Sequence, residues 1–475
     1  MFYSVSLAIA LFCLSACGSS SDLSDNDSGG VSYSVPSDVL TDIDVSSHGY
    51  TDQAIIALNL YPLSSGSYES AGTVPSSIQR SPLPSRVHQH RSFSESMHPH
   101  QQFMSAMKDG QHMQFSSSNF ERYQSVTDST VTTNFYVFDL SDDLIIEEAT
   151  RIYNGDHCYI FISTSLLSSV NQSLADDVGE FFDDSIYDAA INDFDTTPLD
   201  VDGNNKIILF YSSISSAGYF YALDFYEFDG SNRADMLYVH KDYILDGSAD
   251  ALLTENARVI AHEFHHLLNR SERARNNNLD GYETWIEEGI AEGGTKYTLD
   301  IVLDQHFDAL STDSAISNGL GIVYWTGYLN DYSLTHTFME YARVQSDMGV
   351  SFYKALMENY VIADDYRAVF DVVDTNAVSG NVSKFDNFAS LLRDYHIANL
   401  VNASTGLYSY SNDSGLNEYQ AFISQMPNPS SISPSISPGG GLYFIFDDTD
   451  DAEFLNFNPD GYGDNIFFYR INKAE

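Results

Sequence analysis

Thr254-Glu255-Asn256-Ala257-Arg258-Val259-Ile260-Ala261-His262-Glu263-Phe264-His265-His266-Leu267-Leu268-Asn269 is the stretch that decides how this chain is read. Ala257, Ile260, Ala261, Phe264, Leu267 and Leu268 recur at offsets of three and four, the spacing of a buried helix. His262 to His266 spells H-E-x-x-H. Four residues advance a helix by about 400°, so His262 and His266 emerge one turn apart on one face, where neutral imidazole nitrogens can hold a single Zn²⁺. Glu263 then stands beside the ion instead of on it, placed to take the proton of a water whose pKa the ion lowers towards about 7. His265 could take the place of His266 only by giving up the one-turn geometry, so it is read as a packing residue or a support for the ligands.

A tetrahedral catalytic site needs a third protein ligand and one open position. The candidate lies 22 residues after His266, within Trp285-Ile286-Glu287-Glu288-Gly289-Ile290-Ala291-Glu292. Here the chain resembles the gluzincin metallopeptidases, whose second helix supplies a glutamate in a segment like W-[LI]-[NE]-E-G-x-[AS]. The resemblance implies that Glu288 is the third zinc ligand. It also implies that Glu292, one turn later, orients a ligand histidine through its second ring nitrogen. Glu287 falls where the family often has asparagine.

Among gluzincins the sequence is most similar to the hyicolysin family of secreted bacterial peptidases. That likeness is carried by Gly155-Asp156-His157-Cys158-Tyr159-Ile160-Phe161, Asp200-Val201-Asp202-Gly203-Asn204, Ser231-Asn232 leading into Met236-Leu237-Tyr238, and His262 to Leu268, within residues 132 to 345. The implied fold is α+β and thermolysin-like: a mixed sheet and two zinc helices on one side of a cleft, a helical subdomain on the other. The implied cofactor is one catalytic zinc. Gluzincins place a tyrosine or histidine on a later helix to donate to the developing oxyanion. The helix expected over Asp331 to Gln345 offers Tyr332 and His336 for that role, Tyr332 matching the aminopeptidase tyrosine relative to Phe338 and Tyr341. Ordinary packing is the competing reading of both, in a chain with 32 tyrosines. Membrane alanyl aminopeptidases carry G-x-M-E-N before the zinc helix. Here Leu356-Met357-Glu358-Asn359 comes after it, which favours an endopeptidase. Ser351-Phe352-Tyr353-Lys354 spells S-x-x-K without the companion motifs of a serine acylase.

Composition bounds the rest. The 475 residues suffice for two or three domains. They carry 21 Lys and Arg against 67 Asp and Glu, a formal charge of −46, which argues against nucleic acid or anionic lipid as partner. Such a surface suits a salty extracellular medium, where charge is screened over about 8 Å. Of three cysteines, Cys13 and Cys17 lie in or at the end of an apolar run, Val5 to Ala16, of signal-peptide length. Leu14-Ser15-Ala16-Cys17 resembles a bacterial lipobox, with Cys17 the lipidated residue, although no basic residue precedes Arg80. Cleavage there leaves Cys158 as the sole thiol and no intrachain disulfide. The expectation is an exported outer-membrane or cell-surface lipoprotein, touching the membrane only through its anchor.

Domain boundaries follow texture. Residues 1–17 read as signal peptide. Residues 18–131 read as a Ser/Pro/His-rich, partly disordered tether or propeptide, with a strand or two before residue 60. Its histidines (His88, His90, His98, His100, His112) lack carboxylate or cysteine partners at ligand spacing. Residues 132–427 read as the metallopeptidase domain and 428–475 as a small β-rich segment. Asp200-Val201-Asp202-Gly203-Asn204 is like the first half of a calcium loop but lacks the later bidentate glutamate, so a turn before the Lys206 to Tyr211 strand is favoured over Ca²⁺. Met236 to Val239 is the strand expected to pair with an extended protein or peptide substrate. The function expected is zinc-dependent hydrolysis of extracellular proteins. Its rival is an inactive surface lipoprotein that binds protein or glycan, against which an intact Glu263 speaks.

Overall fold

A computed structural model describes residues 40–45, 53–60, 125–226, 230–245, 249–276, 281–317, 319–323, 325–359, 365–377, 384–410, 436–446 and 466–472. The lipobox with Cys13 and Cys17, the stretch after it to residue 39, and the histidines from His88 to His112 lie outside them. Two sheets form. The first contains β1 (Leu40–Asp44), β2 (Gln53–Asn59), β9 (Gly441–Phe446) and β10 (Ile466–Asn472) in the order β1-β10-β2-β9. The second contains β3 (Thr132–Phe138), β4 (Leu144–Asn154), β5 (Cys158–Ser163), β6 (Ile207–Ser212), β7 (Gly218–Phe220) and β8 (Met236–His240) in the order β3-β4-β5-β6-β8-β7. The whole is a mixed arrangement of helices and sheets.

The larger sheet is mixed because its middle is built by crossovers. β5, β6 and β8 run parallel, registered Cys158↔Ile207 and Ile208↔Met236, and each is buried along its whole length. Unbroken apolar runs are what parallel strands covered on both faces require. The β5-to-β6 crossover carries α1 (Gln172–Phe181), capped by the Asn171 side chain, which accepts from the Leu174 N–H at 3.2 Å, and α2 (Asp188–Phe194). β3, β4 and β5 form an antiparallel meander. The short β7 runs antiparallel to β8, Tyr219 opposite Tyr238. This corrects the expected substrate strand: Met236–Val239 is interior, flanked by β6 and β7, and β7 is the outermost strand. Three residues opening on a glycine carry too little alternation for a strand to be read from sequence.

After β8 the chain enters α3 (Ala249–Arg275), 27 residues long. All six apolar positions that predict this helix join one core cluster with β5, β6 and β8, which fixes the opposite face towards α4 (Thr284–Leu299). Then come α5 (Asp304–Thr312), α6 (Leu329–Ser346), α7 (Ser351–Glu358), α8 (Tyr366–Ala377) and α9 (Phe388–Val401), which share a second core with α4 around Trp285, Phe338 and Tyr395. None of the described helices is long and apolar enough to cross a membrane.

The smaller sheet joins residues that sequence texture separates into a tether and a C-terminal segment. β2 pairs antiparallel with both β9 and β10, and the Asn59 amide donates to the Ile436 carbonyl, 377 residues later, at 2.9 Å. Period-two patterning splits its residues: Ala54, Ile56, Leu58 and Ile471 enter the helical core, while Ile55, Ala57, Leu442 and Phe468 form their own cluster.

Close approach of α3 to α4 depends on glycine. A Cβ on Gly294 would lie 2.3 Å from the His265 ring, and one on Gly293 would lie 2.1 Å from the Tyr353 ring. Both distances are shorter than any packed carbon contact. Gly294→Ala therefore forces the two helices apart despite its better helix propensity. The expected result is a loss of about 1–3 kcal/mol in denaturant unfolding, and stability equal to or above wild type would show that the helices do not pack this tightly.

Candidate metal centre

α3 and α4 each contribute two side chains to one spot. His262 and His266 leave α3 one turn apart, and Glu288 and Glu292 leave α4 with the same spacing. His262 Nε2 is 3.1 Å from Glu288 Oε2, His266 Nε2 is 3.2 Å from His262 Nε2, and His266 Nε2 is 3.4 Å from Glu288 Oε2. A tetrahedral ion with ligands at about 2.0–2.1 Å separates neighbouring donors by about 3.3 Å. The three donors already stand at that separation, two imidazole nitrogens and one carboxylate oxygen, so the set fits one divalent ion of the zinc type.

Behind them runs a line of supporting contacts. Glu292 Oε1 is 3.3 Å from His262 Nδ1, the nitrogen facing away from Glu288. Its other oxygen is 3.0 Å from His306 Nε2 on α5, and His306 Nδ1 is 3.0 Å from Ser333 Oγ on α6. The Ser333 hydroxyl donates its hydrogen to the Leu329 carbonyl at 2.9 Å. His306 Nε2 donates to the Glu292 carboxylate, which can only accept, and its Nδ1 shares a hydrogen with the Ser333 hydroxyl. Buried at 2 % exposure, His306 thus holds Glu292 in place. Sequence reading missed it: it follows Glu292 by 14 residues on another helix, and no spacing rule links the two.

The electrostatics match an absent cation. Burial alone would drive His262 down, yet hydrogen bonds to Glu288 and Glu292 hold it well above its ordinary value. Burial opposes ionisation of Glu288 as well, but the charge of His266 and hydrogen bonds from both histidines hold its carboxyl well below the usual range. A proton on His262 does here what a metal ion would do, so ion binding would release it.

The site opens into a cleft lined by Glu263, Tyr332, His306 and Arg258, among others. Glu263 is 7 % exposed, and no hydrogen bond or ion pair engages its carboxylate among the described residues. β7 borders it, a Cβ on Gly218 coming 3.3 Å from Glu263 Cγ. The Tyr332 ring lies 6.2 Å from the His262 ring. Burial, then the charges of Glu288 and Glu263, push its hydroxyl well above its ordinary pKa, so it stays protonated. His336, the other donor expected from sequence, is not brought to the cleft. It is fully buried, its ring 5.0 Å from the His306 ring and 5.8 Å from Phe307, and burial pushes it down to about 3. One turn beyond Tyr332, α6 is already covered by α5.

The remaining expectations sort by contact. His265 packs on Phe194 and bonds Thr298 at 2.8 Å, away from the ligand pair. Glu287 accepts from the Tyr282 N–H at 2.8 Å and from the Asn269 amide, tying α4 to α3. Lys354 pairs with Asp195, and neither it nor Ser351 lines the cleft. Asp200 and Asp202 meet Asp235, but Asp200 accepts the Asn205 N–H and Asp235 accepts those of Leu199 and Val201, the bonds of a braced turn. Cys158 is a buried thiol.

No protein-family model matches the chain. The neutral metalloprotease ShpI of Staphylococcus hyicus is 24% identical to it over 308 residues, 62% of this chain and 66% of that protein. The chain thus spans just under two thirds of the relative's length, and it is a distant relative of a metalloprotease.

If His306 fixes Glu292, and Glu292 fixes His262, then His306→Gln weakens zinc binding by about 10- to 100-fold in competition with a chromophoric chelator. Unchanged affinity would remove His306 from the support of the site.

Proposed function

We propose that the chain is a zinc-dependent endopeptidase of the gluzincin type, with His262, His266 and Glu288 holding the ion. The reading rests on one observation above the others: three donors at tetrahedral separation stand beside a carboxylate, Glu263, that no hydrogen bond or ion pair engages among the described residues. A zinc ion there supplies Lewis acidity, polarising the scissile carbonyl and lowering the pKa of a water towards about 7.

The chain's own residues do the rest. Glu263 takes the proton of the attacking water and passes it to the leaving amine, atoms that the cleft holds on the same side as its carboxylate. Tyr332 stays protonated and donates to the carbonyl oxygen as negative charge builds there. Glu292, braced by His306, keeps His262 in the tautomer whose Nε2 faces the ion. Ala217, at the mouth of β7, lies on the cleft wall, so an extended peptide is placed against the outer side of β7. The resemblance at His262–His266 and Trp285–Glu292 supports the gluzincin class, and the distant kinship to a metalloprotease supports peptide substrates. Export and anchoring through Cys17 complete the proposal, on the sequence Leu14-Ser15-Ala16-Cys17 alone. A scaffold that only binds has no need of Glu263 where it stands.

In Glu263→Gln the expected outcome is one zinc per chain, as in wild type, with casein cleavage down by about 10²- to 10⁴-fold. Tyr332→Phe should lower kcat by about 10²- to 10³-fold with little change in KM. Full activity of Glu263→Gln would overturn the mechanism, and a chelator without effect on wild-type cleavage would overturn the metal assignment.

A further inference from the structure

Among the described residues, Arg258 is a cation of the cleft wall whose guanidinium has no polar partner. It precedes His262 by one helical turn on α3, about 6 Å along the axis, and its half-buried side chain lines the same cavity. Among the described residues, no hydrogen bond or ion pair holds its guanidinium. Every other described arginine and lysine has a contact of its own, as Arg270 with Tyr226, Arg275 with Glu272, Arg343 with Glu340 and Lys206 with Asp128. The acids nearby do not fill the role. Glu288 is committed to the two histidines and Glu292 to His262 and His306, and Glu263 forms no ion pair with Arg258.

We infer that Arg258 is a specificity-determining residue that receives a carboxylate of the substrate within a residue or two of the scissile bond. This rests on the peptidase reading above and narrows its substrate class. A guanidinium presents paired N–H donors that match a carboxylate and are hard to satisfy with apolar neighbours. Its distance from His262 is less than the span of two extended residues, roughly 7 Å, so the carboxylate it takes lies next to the reacting bond. Salt screens the net charge of −46 beyond about 8 Å, whereas acidic groups of the chain nearer than that repel an acidic tract laid along the cleft. Recognition is therefore of a single acidic group at short range, not of an acidic tract. Two sources carry that group: an Asp or Glu side chain, or the C-terminal carboxylate of a peptide.

The test uses the zinc-loaded full chain and matched N-acetylated decapeptides. Each position flanking the cleaved bond is set to Glu, Gln or Lys, and each peptide is made with a free and an amidated C-terminus. Wild type should prefer Glu to Gln at one position by about 10- to 100-fold in kcat/KM, the effect of one charge-assisted hydrogen-bonded pair. Arg258→Gln should bring that ratio to within about threefold, and Arg258→Glu should turn it towards Lys, with one zinc per chain retained in both. A preference that survives amidation assigns the side chain as the carboxylate, and one that vanishes assigns the chain end. A wild-type enzyme that cleaves without acidic preference, or an Arg258→Gln enzyme with the preference intact, overturns the inference and leaves the peptidase reading standing. A zinc-loaded wild type that cleaves no peptide overturns both.

Discussion

Two imidazoles and a carboxylate from two helices must meet at one point, and that convergence is what the rest of the molecule is built to hold. One partner, α3, is fixed by the sheet: Ile260, Ala261, Phe264, Leu267 and Leu268 are all but fully buried against β5, β6 and β8, so His262 and His266 can face only α4. The other partner, α4, is drawn close by Gly293 and Gly294, where a larger residue would meet Tyr353 or His265. Glycine inside a helix costs about 1 kcal/mol relative to alanine. The site is what that cost supports.

Placing two glutamates and two histidines in a buried cluster is unfavourable unless opposite charge is arranged around them. α4 is braced for it at two levels. Near the ligands, Glu292 bridges His262 and His306, and His306 leans on Ser333 of α6. One turn deeper, Lys296 of α4 pairs with Glu340 of α6, which also meets Arg343 and the Tyr353 hydroxyl of α7. Burial would raise Glu340, yet the charges of Arg343 and Lys296 hold its carboxyl well below the ordinary range. Removing one partner of such a set leaves a buried charge uncompensated, so the second layer fixes both the spacing of α4 from α6 and, through Glu292, the orientation of His262. The acidic cluster and the distant kinship to a metalloprotease are both in keeping with carboxylates that could serve a cation.

The metal helix was the most legible part of the sequence, because six apolar residues and an H-E-x-x-H pattern obey one period. Glu288 and Glu292 were legible through the resemblance of Trp285–Glu292 to a gluzincin segment. The helices holding Phe352 and Tyr395 were also readable from periodicity, although Phe385 lies just before the second of them, and both later strands at 442–446 and 466–469 from β-branched and aromatic runs. What stayed hidden depends on contacts between distant segments. β2 and β9 lie nearly four hundred residues apart, and nothing local in either specifies pairing with the other. β7 is too short to show a pattern, so the sheet's outer strand was assigned to β8. Tyr332 and His336 share a helix face, and only the position of α5 separates the one in the cleft from the one behind it. His306 and Arg258 carry no motif at all: one is recognised by the groups it bonds, the other by the absence, among the described residues, of a hydrogen bond or ion pair to its guanidinium.

The convergence itself is most directly tested by zinc K-edge absorption of the zinc-loaded chain beside Glu288→Ala. The account predicts a wild-type shell of light atoms at about 2.0–2.1 Å containing two imidazoles, and the loss of one oxygen donor, with weaker binding, in the variant. A sulfur donor, a third imidazole, or a shell unchanged by the loss of Glu288 would contradict it.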